Sequence, residues 1–399
     1  MRQRITTTTL ILWHNNKIKT IFCIFAWFNC EIERRTMFHK EQIVITATEK
    51  GTLKAMCQDI CARIDGGRAL KISFFGLPAD NREYLTMNRE LHCTVNDFFG
   101  NRAPLVSFIA QKSSSDTLIA EVTYLTDSDA HITHHSRYKV LERGATKELI
   151  TEGIIPGDIS LSTFEQAKDI FAAIDNILTT EGFSPCDIYR QWNYIEDITV
   201  KNDGSQNYQE FNDARSIFYG KCKWNGGYPA ATGIGTARGG VMIELYAIKG
   251  ETAINKPIDN PMQVAAHSYS QKVLDGTVVK ELQERTTPKF ERARLLGNTI
   301  YISGTAAIRG EKSETTGDTV CQAELTMEIM NNLISQNNIP APNNGAQYDL
   351  LRIYVKHEEA IPAVKEYMNK HYASVPKHYL VSDICRPELL IEIEGVAHI

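Results

Sequence analysis

Cys385-Arg386-Pro387-Glu388-Leu389-Leu390-Ile391-Glu392-Ile393-Glu394-Gly395 is the stretch on which the reading of this 399-residue chain turns. From Leu389 onward it has the composition of a strand. A period of two puts Leu390, Glu392 and Glu394 on one face and Leu389, Ile391 and Ile393 on the other. Two carboxylates therefore share a face. If that face lines a cleft, like-charge repulsion and desolvation raise one pKa toward the range of a general acid; a solvated strand face is the alternative. Cys385 and Arg386, just before the strand, bring a thiol and a guanidinium to the same place.

Outward from this strand, Thr299 to Ile308 alternates as a strand and Gly310 to Gly317 reads as a loop. Cys321, Leu325, Ile329, Met330 and Leu333 recur at helical spacing until Ile339-Pro340-Ala341-Pro342 breaks the run. A strand at Asp349 to Lys356, a helix at Glu358 to Tyr372 and a strand at Tyr379 to Cys385 lead into the final one, Leu389 to Val396. Upstream, strands near Leu70 to Phe75, Leu105 to Ala110 and Leu118 to Tyr124 precede a helix at Ser162 to Thr180, with Ser162 and Glu165 as a capping box. A strand at Ile188 to Ile195, a helix at Tyr208 to Tyr219 and strands at Ala230 to Ile234 and Val241 to Ile248 follow. Val241-Met242-Ile243-Glu244-Leu245 compares with Leu389-Leu390-Ile391-Glu392-Ile393, which points to an internal duplication. The expected fold is α+β, each half a mixed sheet with two helices on one face and the other sheet faces packed together. The halves are placed at 37–258 and 288–399, joined by a polar, extended connector at 259–287.

With 43 Lys and Arg against 48 Asp and Glu, the net charge of -5 offers no general field for nucleic acid or an anionic membrane. Nine scattered cysteines, with no paired C-x-x-C, point to reduced thiols and a cytoplasmic setting. The apolar run Ile21 to Phe28 has no small-residue cleavage site after it and is too short to span a bilayer. Met37 is read as the natural start, and residues 1–36 as a leader outside the fold.

Tyr208, Asn212 and Arg215 fall at i, i+4 and i+7 of one helix, a stripe suited to a carboxylate because arginine offers a planar fork, or else a solvent-facing polar stripe. Gly227 to Gly235, which includes Thr232 and Gly233, is glycine-rich enough to let backbone amides approach an anion, and serves equally as a strand turn. It is not a dinucleotide fingerprint, because Arg238 stands at the third glycine position. His131, His134 and His135 have no carboxylate or cysteine at metal-ligand spacing, so they read as a loop cluster and neither metal nor cofactor is expected.

From Thr299 to Ala397 the chain resembles a Rid (YjgF-like, chorismate-mutase-like) domain, whose ending carries an Arg and a Glu-x-Glu as Arg386, Glu392 and Glu394 do here. Simple Rid proteins are trimeric imine or enamine deaminases that hold the substrate carboxylate with an Arg at the position of Tyr379, and this departure counts against that activity. A fuller resemblance is to the chorismatases, which join a degenerate Rid-like half to a C-terminal Rid domain. It is carried by Trp192-Asn193-Tyr194-Ile195, Asn207-Tyr208 through Phe211-Asn212 to Arg215, Pro229 to Gly235 and Ser303-Gly304-Thr305-Ala306. Asn260-Pro261-Met262-Gln263 and Pro288-Lys289-Phe290-Glu291-Arg292-Ala293 add connector matches.

The resemblance implies that Glu392 is the acid that protonates the enolpyruvyl methylene of chorismate, so that pyruvate leaves. Tyr208, Arg215 and Arg386 are expected to hold the two carboxylates, with Lys356 as a further candidate and Thr232, Gly233 and Gly304 contributing backbone and hydroxyl contacts. Cys385 stands where the members that form 3-hydroxybenzoate carry a cysteine, so 3-hydroxybenzoate is expected rather than a dihydroxycyclohexadiene carboxylate. A small buried thiol packed under the strand is the alternative role. A Rid-type deaminase and a non-catalytic Rid-like binding protein are the competing readings, and a monomer or weak homo-oligomer is expected because a tandem chain builds the intersubunit cleft within itself.

Overall fold

Strands that are apolar on both faces need cover on both sides, and this chain meets the need with three layers rather than two. The computed structural model describes residues 37–399 except 203, 251–253, 316 and 340–344. The leader at 1–36 and the proline break at 340–342 lie outside the described residues.

The first layer holds β1 (Lys40–Thr46), α1 (Leu53–Cys61), β2 (Ala69–Phe75), α2 (Asn81–Phe99), β3 (Leu105–Ile109) and β4 (Ile119–Leu125). The middle layer holds β5 (His131–His134), β6 (Tyr138–Arg143), β7 (Thr146–Thr151), α3 (Thr163–Thr180), β8 (Ile188–Glu196), α4 (Asn207–Tyr219), β9 (Ala230–Thr236) and β10 (Val241–Lys249). The third holds β11 (Asn255–Ile258), β12 (Ala293–Leu296), β13 (Thr299–Ala306), α5 (Thr319–Leu333), β14 (Gln347–Val355), α6 (Ile361–His371), β15 (Lys377–Val381) and β16 (Ile391–His398).

One strand order recurs in all three: β1-β4-β2-β3, β7-β10-β8-β9 and β13-β16-β14-β15. In each, the last neighbours are parallel and the others antiparallel. Each layer has its own helix-to-sheet core, and the remaining faces of the three sheets meet in one central core that includes Leu70, Tyr189, Met242, Tyr301 and Tyr354.

The α+β class and the helix pairs match the expectation, and so does the packing of the inner sheet faces. Residues 37–258, read as one sheet, carry two complete sheets and also β11, which pairs with β12 of the third layer. The duplication also needs a two-residue correction. Glu244 stands opposite Trp192 on the central strand β8 as Glu394 stands opposite Arg352 on β14, so Glu244 matches Glu394 and not Glu392. A shift of two keeps the face, which is why the pattern alone misplaces it. Ser162 does cap α3 through the Glu165 N–H, but the Glu165 carboxylate turns to Lys168 instead of back to the cap.

Where the sheets meet, each layer supplies a glutamate to a cation of another. Glu244 takes Lys71 at 2.9 Å, Glu121 takes Arg352 at 2.9 Å, and Glu394 takes both Arg190 and Arg352, the latter at 2.9 Å. All six side chains are buried. The pairing runs first layer to third, third to middle, and middle to first. Removing one member strands its partners without water. Arg352→Met is therefore expected to lower unfolding stability by about 3–5 kcal/mol in urea titrations, whereas a loss under about 1 kcal/mol would mean that these pairs do not join the layers.

Candidate active site

A cavity of about 410 Å³ opens between the middle and third layers, walled by the start of α4, the end of β13, the turn into β16 and the connector. Of the residues singled out from sequence, Tyr208, Gly304, Cys385, Arg386 and Glu392 all line it, although 177 residues or more separate Tyr208 from the last three in the chain.

Glu392 is 4% exposed, and its carboxyl has no hydrogen-bond partner among the described residues. Burial, with the nearby charge of Glu394, pushes it up to about 8 against the pull of Arg292 and Arg190. Glu394, two residues on and on the same face, goes the other way. Burial alone would raise it, but the charges of Arg352 and Arg190 and hydrogen bonds from Thr232 and Tyr354 hold it below the ordinary carboxylate range. The strand thus carries one neutral acid that faces the cavity and one anion locked in the interior.

The other layers explain why the acid stands in one place only among them. The positions that match Glu392, two residues before Glu121 and Glu244, hold Ile119 and Met242, both buried in the central core. The local backbone is built for the acid. A Cβ on Gly304 would fall onto Glu392 Oε1, and Ser303-Gly304 lies where the β13–β16 register shifts, a bulge of the kind that re-aims side chains beside active sites. Thr232 Oγ1 accepts from Arg190 at 2.9 Å and from the Gly304 N–H at 3.2 Å, and its hydroxyl hydrogen goes to Glu394. Thr232 therefore ties the acid's neighbours together from beneath, without lining the cavity. A Cβ on Gly233 would come within 2.8 Å of the Tyr208 ring, so this glycine makes room for the tyrosine.

Burial raises the Tyr208 phenol above its ordinary range, and no partner for its hydroxyl is found among the described residues, which leaves a free donor at the cavity wall. Burial, with Glu392 adding, pushes the Cys385 thiol up to about 12. At neutral pH this group is a thiol that can donate a hydrogen bond, not a thiolate nucleophile. Arg386 is steadied by the Glu311 carbonyl and Ser313 Oγ, both at 3.0 Å.

Two expected carboxylate holders are placed elsewhere. Arg215 is buried behind the wall, with Nη2 on Asn212 Oδ1 and its guanidinium 5.3 Å from the Phe211 ring, so it acts on the cavity through Asn212, which does line it. Lys356 points its ammonium at the Pro387 carbonyl, 2.6 Å away, and braces the turn that carries Cys385 and Arg386. Neither is a lining residue. Arg292, Tyr269 and Lys272 line the cavity and were not anticipated. Arg292 lay within a stretch noted only as a connector match, and the other two lie in a polar segment without periodicity.

The family described as chorismatase FkbO/Hyg5-like, N-terminal, matches residues 127–247, which is the middle layer. A 3-hydroxybenzoate synthase of Streptomyces hygroscopicus is 31% identical over 240 residues, 58% of this chain and 69% of that protein. The chain belongs to the chorismatase family. A chorismatase of Streptomyces rapamycinicus is 29% identical over 247 residues, 57% of this chain and 68% of the relative. A solved chorismatase structure superposes with a TM-score of 0.68 at 21% identity, over 90% of this chain and 98% of that one, so the three-layer arrangement is a chorismatase fold.

Holding Glu392 protonated costs stability. Between about 4.5 and about 8 the folded chain keeps a proton that the unfolded chain releases, so this group's contribution to stability falls as pH rises through that window. Glu392→Gln, which cannot ionise, is expected to gain about 3–4 kcal/mol over the wild type between pH 5 and pH 8 in urea unfolding. A difference that does not change with pH would contradict the assignment.

Proposed function

We propose that this chain is a chorismatase that converts chorismate to pyruvate and 3-hydroxybenzoate, with Glu392 as the acid. The observation that carries this is the neutral, unpartnered Glu392 carboxyl in a cavity lined by Arg292 and Arg386. Chorismate has two carboxylates and an enol ether whose terminal methylene carbon is the basic site. Two guanidiniums suit the carboxylates, and a carboxyl kept protonated near neutral pH suits the carbon.

In this mechanism Glu392 transfers its proton to the methylene, which becomes the pyruvyl methyl, and the ether oxygen is left as an oxocarbenium. Glu392, now a carboxylate, faces that positive charge. A hydroxyl of the ring adds to the cation and loses its proton to Glu392, and collapse of the adduct frees pyruvate. In that collapse the bond from ring C4 to its oxygen breaks, this oxygen leaves as the pyruvate carbonyl, and the bond between the ketal carbon and the C3 oxygen breaks. Loss of the C3 proton then makes the ring aromatic while the C3 oxygen takes up a proton, so the two products together contain the atoms of chorismate with no water added. Addition of water instead would give the dihydroxycyclohexadiene carboxylate. Cys385, as a neutral thiol beside the acid, is the group assigned to favour the internal route by hydrogen bonding to the migrating oxygen. Tyr208 and Arg386 orient the substrate, Thr232, Gly233 and Gly304 shape the pocket, and Arg215 supports it from behind.

The proposal includes a cytoplasmic enzyme of secondary metabolism that works as a monomer or weak homo-oligomer, with its units at 37–126, 127–250 and 254–399. Among the described residues no helix is long and apolar enough to cross a membrane.

Incubation with chorismate should yield equal amounts of pyruvate and 3-hydroxybenzoate, and Glu392→Gln should lower kcat by about a thousandfold. The acid form is the active one, so kcat/KM should hold below and fall above about pH 8. Glu394→Gln removes the neighbouring anion and should move that fall to lower pH. Pyruvate with a diene diol would overturn the product assignment, and unchanged turnover by Glu392→Gln would overturn the mechanism.

A further inference from the structure

We infer that Tyr269, on the connector, is a positioning residue that organises the two cavity guanidiniums into one dicarboxylate clamp; this rests on the chorismatase reading above. Arg292 and Arg386 come from separate parts of the third layer, one just before β12 and the other in the turn before β16, and no contact between them is needed to build the sheet. Both gather at Tyr269. The guanidinium centre of Arg292 lies 5.4 Å from the Tyr269 ring centroid and that of Arg386 5.5 Å, within the range of an attractive cation–π contact. The Tyr269 hydroxyl also accepts from Arg292 Nη2 at 2.7 Å.

The aromatic ring is a neutral partner, and that is the chemical point. A carboxylate in its place would satisfy the guanidiniums and compete with substrate, whereas a π face attracts them without taking their N–H groups. Among the described residues their hydrogen bonds come from Arg292 Nη2, to the Val264 carbonyl and the Tyr269 hydroxyl, and from Arg386 Nη1, to the Glu311 carbonyl and Ser313 Oγ. Arg292 Nε is buried and has no hydrogen-bond partner among the described residues. The connector is fixed to the same element as Arg386. The Glu311 carboxylate accepts from the Ser270 N–H at 2.8 Å and its hydroxyl at 2.7 Å, while the Glu311 carbonyl holds Arg386. Ring, connector and both cations are thus tied together by direct contacts. Such a clamp discriminates for ligands with two carboxylates at a set separation, and it places selectivity in a segment outside all three sheets.

The test separates recognition from chemistry. Chorismate binding is measured by calorimetry on full-length Glu392→Gln, which retains the clamp, and on the same protein with Tyr269→Ala or Tyr269→Phe added. Tyr269→Ala should weaken chorismate binding about tenfold, with Tyr269→Phe, which keeps the ring, in between. Binding of 3-hydroxybenzoate, which has one carboxylate, should weaken less than threefold. In the active enzyme the Tyr269→Ala loss should fall mainly on KM. Equal weakening of both ligands, or none, would overturn the role of Tyr269 while wild-type turnover of chorismate left the enzyme assignment standing. Absence of wild-type turnover would instead remove the reading on which the clamp depends. Circular dichroism spectra and unfolding midpoints of the variants distinguish misfolding from a binding defect, and normal folding with unchanged affinity also counts against the clamp.

Discussion

Six charged side chains meet where the three sheets converge, and most of this molecule's organisation follows from the need to satisfy them. Lys71, Arg190 and Arg352 face Glu121, Glu244 and Glu394, all buried. Burying a charge costs several kcal/mol unless a partner and hydrogen bonds replace its water. Here each replacement comes from a different layer, so no layer can leave the others without stranding an ion. The ring is therefore a specificity device for assembly of the three layers as much as a source of stability.

The same ring sets the chemistry. Arg190 and Arg352 are spent on Glu394, and this keeps Glu394 charged and leaves Glu392, two residues away, to carry the cost of its own burial. A single strand thus holds two carboxyl groups whose pKa values are pushed in opposite directions, a pattern suited to acid–base chemistry near neutral pH. In the other layers, Ile119 and Met242 fill the corresponding position. Met242 still has a glycine beside it, Gly153, whose added Cβ would fall onto its sulfur just as one on Gly304 would fall onto Glu392. The scaffold repeats, but the acid does not.

Much of the third layer, including the strand that carries Glu392, was legible from the chain, because alternation along β16 and helical spacing along α5 are local signals. The Glu392 and Glu394 face, Tyr208, Gly304, Cys385 and Arg386 followed from that pattern and from the family resemblance. The first layer was not recognised as a sheet of its own. Its helix α2 buries Tyr84, Leu91, Thr94 and Val95 within an otherwise strongly polar stretch, and that stretch was not read as a helix. The ring was invisible for a different reason. Lys71 meets Glu244 across 173 residues, Arg190 meets Glu394 across 204 and Arg352 meets Glu121 across 231, and within its own strand each looks like an unexplained polar interruption. Lys356 illustrates the converse: a period of two continues the face of Arg352 and Tyr354 to it, yet the strand ends at Val355 and its ammonium is drawn to a backbone carbonyl.

The proposed chemistry depends on the protonation state of the Glu392 carboxyl, which its titration reads. Carbon-13 NMR of the glutamate side-chain carboxyls, compared between the wild type and Glu392→Gln from pH 4 to pH 9, should show one resonance that titrates near pH 8 and is missing from the variant. If every carboxyl that titrates has done so by about pH 6, closer to an ordinary glutamate, Glu392 is an anion at neutral pH and the account of this site is wrong.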